Sequence, residues 1–365
     1  MSGSHESTHK VNLFQRSESA AMFVFLKNRL FRLAVLWLGL SLFAAASVAG
    51  SPRKSWKIAI FRTAAPYAVE IEAALKNHLA KLGYNEGRNL TYLPTVMVKS
   101  RIEDFAETAA LARQALNEKP DLFATIGTQA SIPVWKAVEP TGIPMVFCGI
   151  TFPVDVGLIS AYGQPTGKNI TGLGYSVSPR KRLELIRELF PDTQRYRRIA
   201  FAYSGQALQD AAYVKYLQKA GNVAQWQISF IDYFDYAQNN ASLRLLIDKL
   251  QQSNPDLVFG WYDLDVLGND SKSFKELLDK LRKPLIAVTS KGVDEGAVGG
   301  VLTDHQGLGA QQAGMIGRIF KGEPAGTIPP VEPTAYLIEL NLSKARELGI
   351  KFDAKTIESA TRIIP

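Results

Sequence analysis

Residues 121–153 read DLFATIGTQASIPVWKAVEPTGIPMVFCGITFP, and this stretch decides the fold. Asp121 to Ile126 predicts a short buried strand, Gly127 permits a tight turn, and Thr128 to Val138 predicts a helix whose first turn carries Thr128, Gln129 and Ser131. Pro144 to Ile150 is again almost wholly apolar, the pattern of a parallel strand covered on both faces, and it ends at Thr151 just before Phe152 and Pro153. Two parallel strands joined by a helix put both hydroxyl-bearing loops on one edge of a sheet. Open α/β sheets bind ligands at that edge, where helix N-termini offer unpaired N–H groups to an anionic or polar group.

Outward from this stretch the alternation continues. Upstream, Trp56 to Phe61 predicts a strand and Pro66 to Leu82 a helix with Val69, Ala73, Leu75 and Leu79 facing inward and Gly83 as its stop. Asn89 to Leu93 then reads as a strand and Arg101 to Asn117 as a helix. Downstream, Gly163 to Asn169 breaks the pattern and Ile170 to Tyr175 resumes it as a strand. A helix follows from near Pro179, with Leu183, Ile186 and Leu189 on one face and Arg180, Lys181 and Arg182 as a solvated side. The second half repeats the theme with strands at Ile199 to Tyr203, Gln225 to Ile231, Asp256 to Tyr262, Pro284 to Val288 and Ala297 to Leu302. Its helices span Leu208 to Ala220, Ala241 to Gln252, Ser273 to Leu281 and Leu308 to Phe320. The chain closes with Tyr336 to Leu342, a short helix at Ser343 to Leu348 and a strand near Arg362 to Ile364. Repeated strand–helix alternation predicts an α/β protein of two doubly wound parallel-sheet lobes, with strand ends turned toward the groove between them.

Composition narrows the function classes. The mean hydropathy of −0.03 and 46% hydrophobic content are those of an ordinary globular chain. Of the formal net charge of +8, three units come from residues 1–49, where five basic side chains oppose two acidic ones, so the remainder carries +5. That excess is spread with no long like-charge run, which argues against nucleic-acid binding. One cysteine, Cys148, lies inside the apolar run MVFCGI, and the four histidines are scattered. No disulfide within the chain, protein-only metal site or cofactor is expected.

The N-terminus reads as an address. Within residues 27–49, Lys27, Arg29 and Arg32 form a charged front, Leu33 to Ala46 an apolar middle, and Ser47-Val48-Ala49 a small-residue cleavage site before Gly50. A retained membrane anchor is the competing reading, and Met22 is a candidate alternative start. No cysteine stands at the cleavage site, so a lipid anchor is not expected. The expected compartment is the periplasm.

Ordered pieces along the chain carry a resemblance. GYNEGRNLTY, DLFATIGTQAS, IPMVFCGITFPVDVGLI, GKNITGLGYSV with KRLELIRELFP, RRIAFAYS, PDLVFGWYD, the run from KPLIAVTSKGVDEGAVGG to FKGEPAGTIP, and YLIELNLSKARELGI occur in that order from about Trp56 to the end. Together they resemble the ABC transporter substrate-binding proteins of the tryptophan/tyrosine type. The resemblance implies a type I periplasmic-binding-protein fold: two lobes on three hinge strands that close over a small solute and deliver it to an inner-membrane ABC permease. It further implies a monomer with a leader at 1–49, a first lobe from 55–173 plus 304–330, and a second from 174–303 plus 331–365. Two departures fall where ligand contacts are expected. Phe152 stands where the family carries an acidic residue, with Asp155 just beyond, and His305 and Gln306 replace two aromatics after Asp304.

Topology nominates the polar strand-end residues as solute contacts: Thr63, Tyr67, Thr128, Gln129, Ser131 and Thr151 in one lobe, and Tyr203, Ser204, Tyr262, Asp263, Thr289 and Ser290 in the other. Thr128 and Ser131 suit a carboxylate at a helix N-terminus, although a threonine there equally caps its helix. Tyr67, Tyr175, Tyr203, Trp261 and Tyr262 are candidate walls for a planar solute, with core packing as the alternative. Asp263 and Asp304 are the acids expected to meet an ammonium, and the alternative for each is a turn aspartate at the surface. The glycine-rich run Gly307 to Gly314 reads as helix packing rather than a dinucleotide loop. The expected activity is non-catalytic solute capture. A sensor presenting its ligand to a membrane signalling protein is the alternative, and an exported enzyme a weaker one, since no nucleophile elbow, metal cluster or Ser-His-Asp order is visible.

Overall fold

The structure, a computed structural model, describes residues 55–98, 104–175, 177–203, 208–223, 226–232, 240–260, 271–334 and 336–365. The leader with its two readings lies outside them, as do Ser204, Trp261, Tyr262 and Asp263. The chain begins with β1 (Trp56–Thr63), α1 (Pro66–Lys81), β2 (Leu90–Tyr92), β3 (Val96–Val98), α2 (Phe105–Leu116), β4 (Leu122–Ile126), α3 (Thr128–Val138), β5 (Met145–Ile150) and β6 (Ile170–Gly174). These strands form a parallel sheet in the order β2-β1-β4-β5-β6, with β3 also paired to β1. Every residue of β4, β5 and β6 is buried, as expected for central strands covered on both faces.

The second sheet follows α4 (Pro179–Leu189). Its elements are β7 (Arg198–Tyr203), α5 (Leu208–Val223), β8 (Gln227–Asp232), α6 (Asn240–Gln252), β9 (Leu257–Gly260), α7 (Ser271–Leu281), β10 (Leu285–Ala287), α8 (Ser290–Asp294) and β11 (Gly299–Thr303). After α9 (His305–Phe320) come β12 (Tyr336–Asn341), α10 (Leu342–Glu347), α11 (Ala354–Ser359) and β13 (Arg362–Ile364). The strand order is β13-β12-β11-β10-β9-β7-β8, parallel except where β12 runs against β11. This is a type I periplasmic-binding-protein fold, with two α/β parallel-sheet regions in one chain.

The chain passes between the two sheets three times. It leaves the first sheet after β6, returns after β11 as α9, which packs on α1, β5 and β6, and leaves again where Val331 bridges Leu173 before β12. The return is held closely. An added Cβ on Gly309 would lie 2.5 Å from Ala74 Cβ and 2.7 Å from both Ile71 O and Leu75 N, so only glycine lets α9 approach the backbone of α1. Beneath the crossing, Gln312 donates through Nε2 to the carbonyls of Val146 (3.0 Å) and Thr125 (3.2 Å). The glycine-rich run is helix packing.

Three expectations need correction. The inward face of α1 is Ala68, Ile71, Glu72, Ala74, Leu75 and Leu79, whereas Val69 is 46% exposed and Ala73 points out. Small alanines, not the bulkier Val69, meet the neighbouring helix. Arg182 is no part of a solvated side: it is fully buried, its Nη1 donating to Tyr213 Oη (3.4 Å) and its guanidinium lying over the Phe259 ring (5.7 Å). The helix expected from Leu308 starts one turn earlier, because Asp304 caps it. The short elements β3, α8 and α11 carry too few residues to show a period.

Candidate functional site

The C-terminal ends of β1, β4 and β5 place the predicted hydroxyls side by side. Gly127 has φ 96°, and a Cβ there would meet Thr63 Cγ2 at 2.7 Å and Tyr67 Oη at 3.1 Å, so Thr63 and Tyr67 close directly over the turn into α3. Thr63 is buried, and its Oγ1 donates to Tyr67 Oη at 3.5 Å. Thr128 and Gln129 follow Gly127, half-buried in the first turn of α3, and no side chain caps that helix. Its N–H groups therefore have no side-chain acceptor at Gly127, an arrangement open to an anionic or polar group. Ser131 points the other way. It is fully buried, and its Oγ donates to Gly127 O (2.8 Å) and lies 2.8 Å from Thr125 Oγ1, so it braces the turn from within the sheet.

Tyr67 also starts an aromatic cluster on the α1/α9 face of the sheet. Its ring centroid is 4.7 Å from that of Tyr175 and 6.0 Å from that of His305, and Tyr175 and His305 stack at 5.8 Å. Tyr175 Oη lies 3.1 Å from His305 Nε2, and His305 Nδ1 lies 2.7 Å from Glu70 Oε2. The imidazole thus bridges the Tyr175 hydroxyl and the Glu70 carboxylate through its two ring nitrogens. The cluster thereby ties the passage after β6 to the passage after β11. Sequence reasoning saw His305 only as a departure. Glu70 had a usable signal, since helical spacing puts it in the same first turn as Tyr67.

In the second half, Tyr203 is half-buried against the core and stacks on Phe201 at 6.1 Å. Thr289 caps α8 by accepting from Gly292 N (3.2 Å), and Ser290 donates to Glu339 Oε1 (2.7 Å). Asp304 accepts from Gly307 N (2.8 Å) through Oδ1, which makes it the cap of α9. The structure thus brings Thr63, Tyr67, Thr128, Gln129 and Tyr175 together. It does not add Ser131 or Tyr203 to that group as exposed contacts.

Past the end of β5 lies a crevice of about 470 Å³, with walls from both halves of the chain. Thr151, Phe152, Asp155 and Tyr162 come from the loops after β5, Ser178 to Arg180 from the start of α4, Tyr216 and Lys219 from α5, and Glu332 from the last passage. Its acidic corner is crowded. Burial raises the pKa of Tyr162, and the nearby charge of Glu332, with Tyr216 and Asp155 behind it, adds to the rise. Burial likewise raises that of Tyr216, as do its hydrogen bond to Asp155 and the charges of Asp155 and Glu332. Among the described residues no group of carboxylate, histidine and cysteine side chains could hold a metal ion, and no helix is long and apolar enough to cross a membrane.

The profile of the family described as "ABC transporter substrate binding protein" matches residues 58–364. The chain belongs to that family. Among the relatives of this substrate-binding protein, a tyrosine-binding protein of Clostridioides difficile (strain R20291) is 21% identical over 268 residues, 73% of each chain. An ABC domain from Streptococcus pneumonia, solved in complex with L-Trp, superposes with a TM-score of 0.66 at 20% identity, covering 85% of this chain and all of that one. The ligand-free, open form of a substrate-binding protein with adhesive properties from Clostridium difficile superposes with a TM-score of 0.67 at 20% identity, covering 84% and 98%. At these identities the solved structures establish the fold, and the profile establishes the family.

Proposed function

We propose that this protein is an exported receptor that captures an amino acid or a related small polar solute between its two halves and hands it, unaltered, to a membrane ABC permease. The carrying observation is that both halves of the chain wall a crevice of about 470 Å³ beside the strand-end loops, a size suited to a small solute. In this reading the first lobe (55–173 plus 304–330) and the second (174–303 plus 331–365) move as bodies about the three passages, and solute favours the closed arrangement because it touches both. Of the strand-end residues, Thr151 lines the crevice itself; Thr128 and Gln129 at the start of α3, with Tyr67 and Tyr175, form a second group outside its lining, which in this reading meets the solute's carboxylate and body as the halves move. Asp263 or Asp304 meets an ammonium. The residues of the leader support export to the periplasm, and the tyrosine- and tryptophan-binding relatives support an amino-acid solute.

The test is a thermal-shift screen of the twenty amino acids and small organic acids, with mass spectrometry of whatever copurifies under native conditions. A solute that raises the melting temperature and is recovered chemically unchanged supports the reading, since binding only the native state stabilises it. Turnover of that solute, or no shift with any member and no copurifying compound, refutes it.

A further inference from the structure

The acidic corner of the crevice carries charge that no neighbouring side chain answers. Asp155 comes from the loop after β5 and Glu332 from the last passage between the halves, and both are exposed in the lining. Among the described residues neither carboxylate has an ion-pair partner, and their one hydrogen bond runs from Tyr216 Oη to Asp155 Oδ2 (2.9 Å). Arg180, also in the lining, is paired through Nε with Glu184 (2.9 Å), which leaves Lys219 as the one basic group set against two acids. Burial first, and then the two carboxylates, raise the pKa of both Tyr162 and Tyr216, so each phenol stands within reach of both acids. The wall beside them is aromatic. Phe152 stacks on Tyr216 with ring centroids 5.4 Å apart and planes 18° apart. Tyr162 lies against Gly174, where an added Cβ would come within 2.5 Å of its Oη, and among the described residues that hydroxyl has no hydrogen-bond partner.

We propose that this corner takes a protonated ammonium or guanidinium group at one end of the solute, so that the captured solute is a cationic amino acid or amine. The assignment rests on the capture reading and narrows it. Two carboxylates that share a corner repel each other, and a cation beside them removes that penalty and adds charge-assisted hydrogen bonds. The donors of such a group match the lining: among the described residues Asp155 Oδ1, both Glu332 oxygens and Tyr162 Oη are acceptors that no protein donor fills. The rings of Phe152, Tyr162 and Tyr216 add faces that attract a cation. An uncharged end would instead cover the carboxylates without pairing them, and an anionic end would meet repulsion. A metal ion is the wrong cation, since among the described residues no group of three ligating side chains converges there.

The test compares matched solutes that differ chiefly in the charge at the far end. By titration calorimetry, the protein should bind L-lysine or L-arginine about tenfold more tightly than its uncharged counterpart, L-norleucine or L-citrulline, because an exposed ion pair is worth up to a few-fold and two acids act together here. Added salt should shrink that ratio. Asp155→Asn combined with Glu332→Gln, close in size to the parent residues and at exposed positions, should bring the ratio to about one, since the charges that set it are gone. Equal affinity within each pair, or a preference that survives the double substitution, would overturn the cation assignment. The two readings fail separately. Binding of neutral amino acids alone in the thermal-shift screen sinks the cation and keeps the receptor, whereas a screen that finds no ligand at all sinks both.

Discussion

The close crossing of α9 over α1 makes a prediction whose sign can be worked out from geometry. In Gly309→Ala the new methyl would lie 2.5–2.7 Å from three atoms, two of them backbone atoms of α1 that no side-chain rotation can move. The helices must separate locally, and overpacking of this kind costs about 1–3 kcal/mol. The upper part of that range applies here because backbone has to shift, and the better helix propensity of alanine returns only about 1 kcal/mol. The net loss is about 2 kcal/mol, a fall of roughly 4–8 °C in melting temperature for a domain of this size class. The control lies on the same helix. Gly314 is exposed and has nothing within 4 Å of an added Cβ, so Gly314→Ala gains about 1 kcal/mol of helix propensity with nothing to offset it. Urea or thermal denaturation of the two variants should therefore move in opposite directions. If Gly309→Ala is as stable as Gly314→Ala, α9 does not approach α1 as closely as the structure has it.

Three further outcomes follow. Glu72 is bound by Arg62 (2.6 Å), Thr95 (2.7 Å) and Lys76 (2.7 Å); burial acts to raise its pKa, but these partners prevail and hold it below the ordinary 4.5. Its stabilisation is therefore present above the unfolded value and lost as pH falls through the folded one, so the stability gap between the parent and Glu72→Gln should narrow between about pH 6 and about pH 3; a constant gap would contradict the pairing. Ser131→Ala should cost about 1 kcal/mol of stability through the lost buried hydrogen bonds, whereas Thr128→Ala should weaken solute binding at unchanged stability; equal effects on binding would remove the distinction drawn between the two hydroxyls. Cys148, fully buried with its thiol pKa pushed up by that burial, should resist a thiol reagent in the native protein and react as one equivalent after denaturation; rapid native reaction would refute its placement.

How far the sequence could be read depended on how much of each element's burial its residues encode. The helix Thr128–Val138 was legible to the residue, because a glycine at positive φ must precede it and its apolar positions recur at helical spacing. The face of α1 was not, since close helix packing selects small side chains and an alanine stripe looks no more apolar than its surroundings. Arg182 misled for the opposite reason. Its charge suggested solvent, while its spacing of four and seven residues from buried Ile186 and Leu189 already put it on the inward stripe. At the candidate site, strand-end topology anticipated that Thr63, Tyr67, Thr128 and Tyr175 lie near one another, because hydroxyls after parallel strands share one edge. The Tyr175–His305–Glu70 chain and the Phe152–Tyr216 stack join residues far apart in sequence, and nothing local in either partner announces the other.

The detour of the chain through the second sheet before α9 has a consequence for biogenesis. A nascent polypeptide that has not yet reached residue 305 holds all six strands of the first sheet but lacks the helix that shields their α1 side, so Ile71, Leu75 and their neighbours stay without their Leu308 and Ile316 cover. Fragments ending near residue 300 should therefore be sticky and short-lived, and the N-terminal portion can mature only after most of the C-terminal portion has been made.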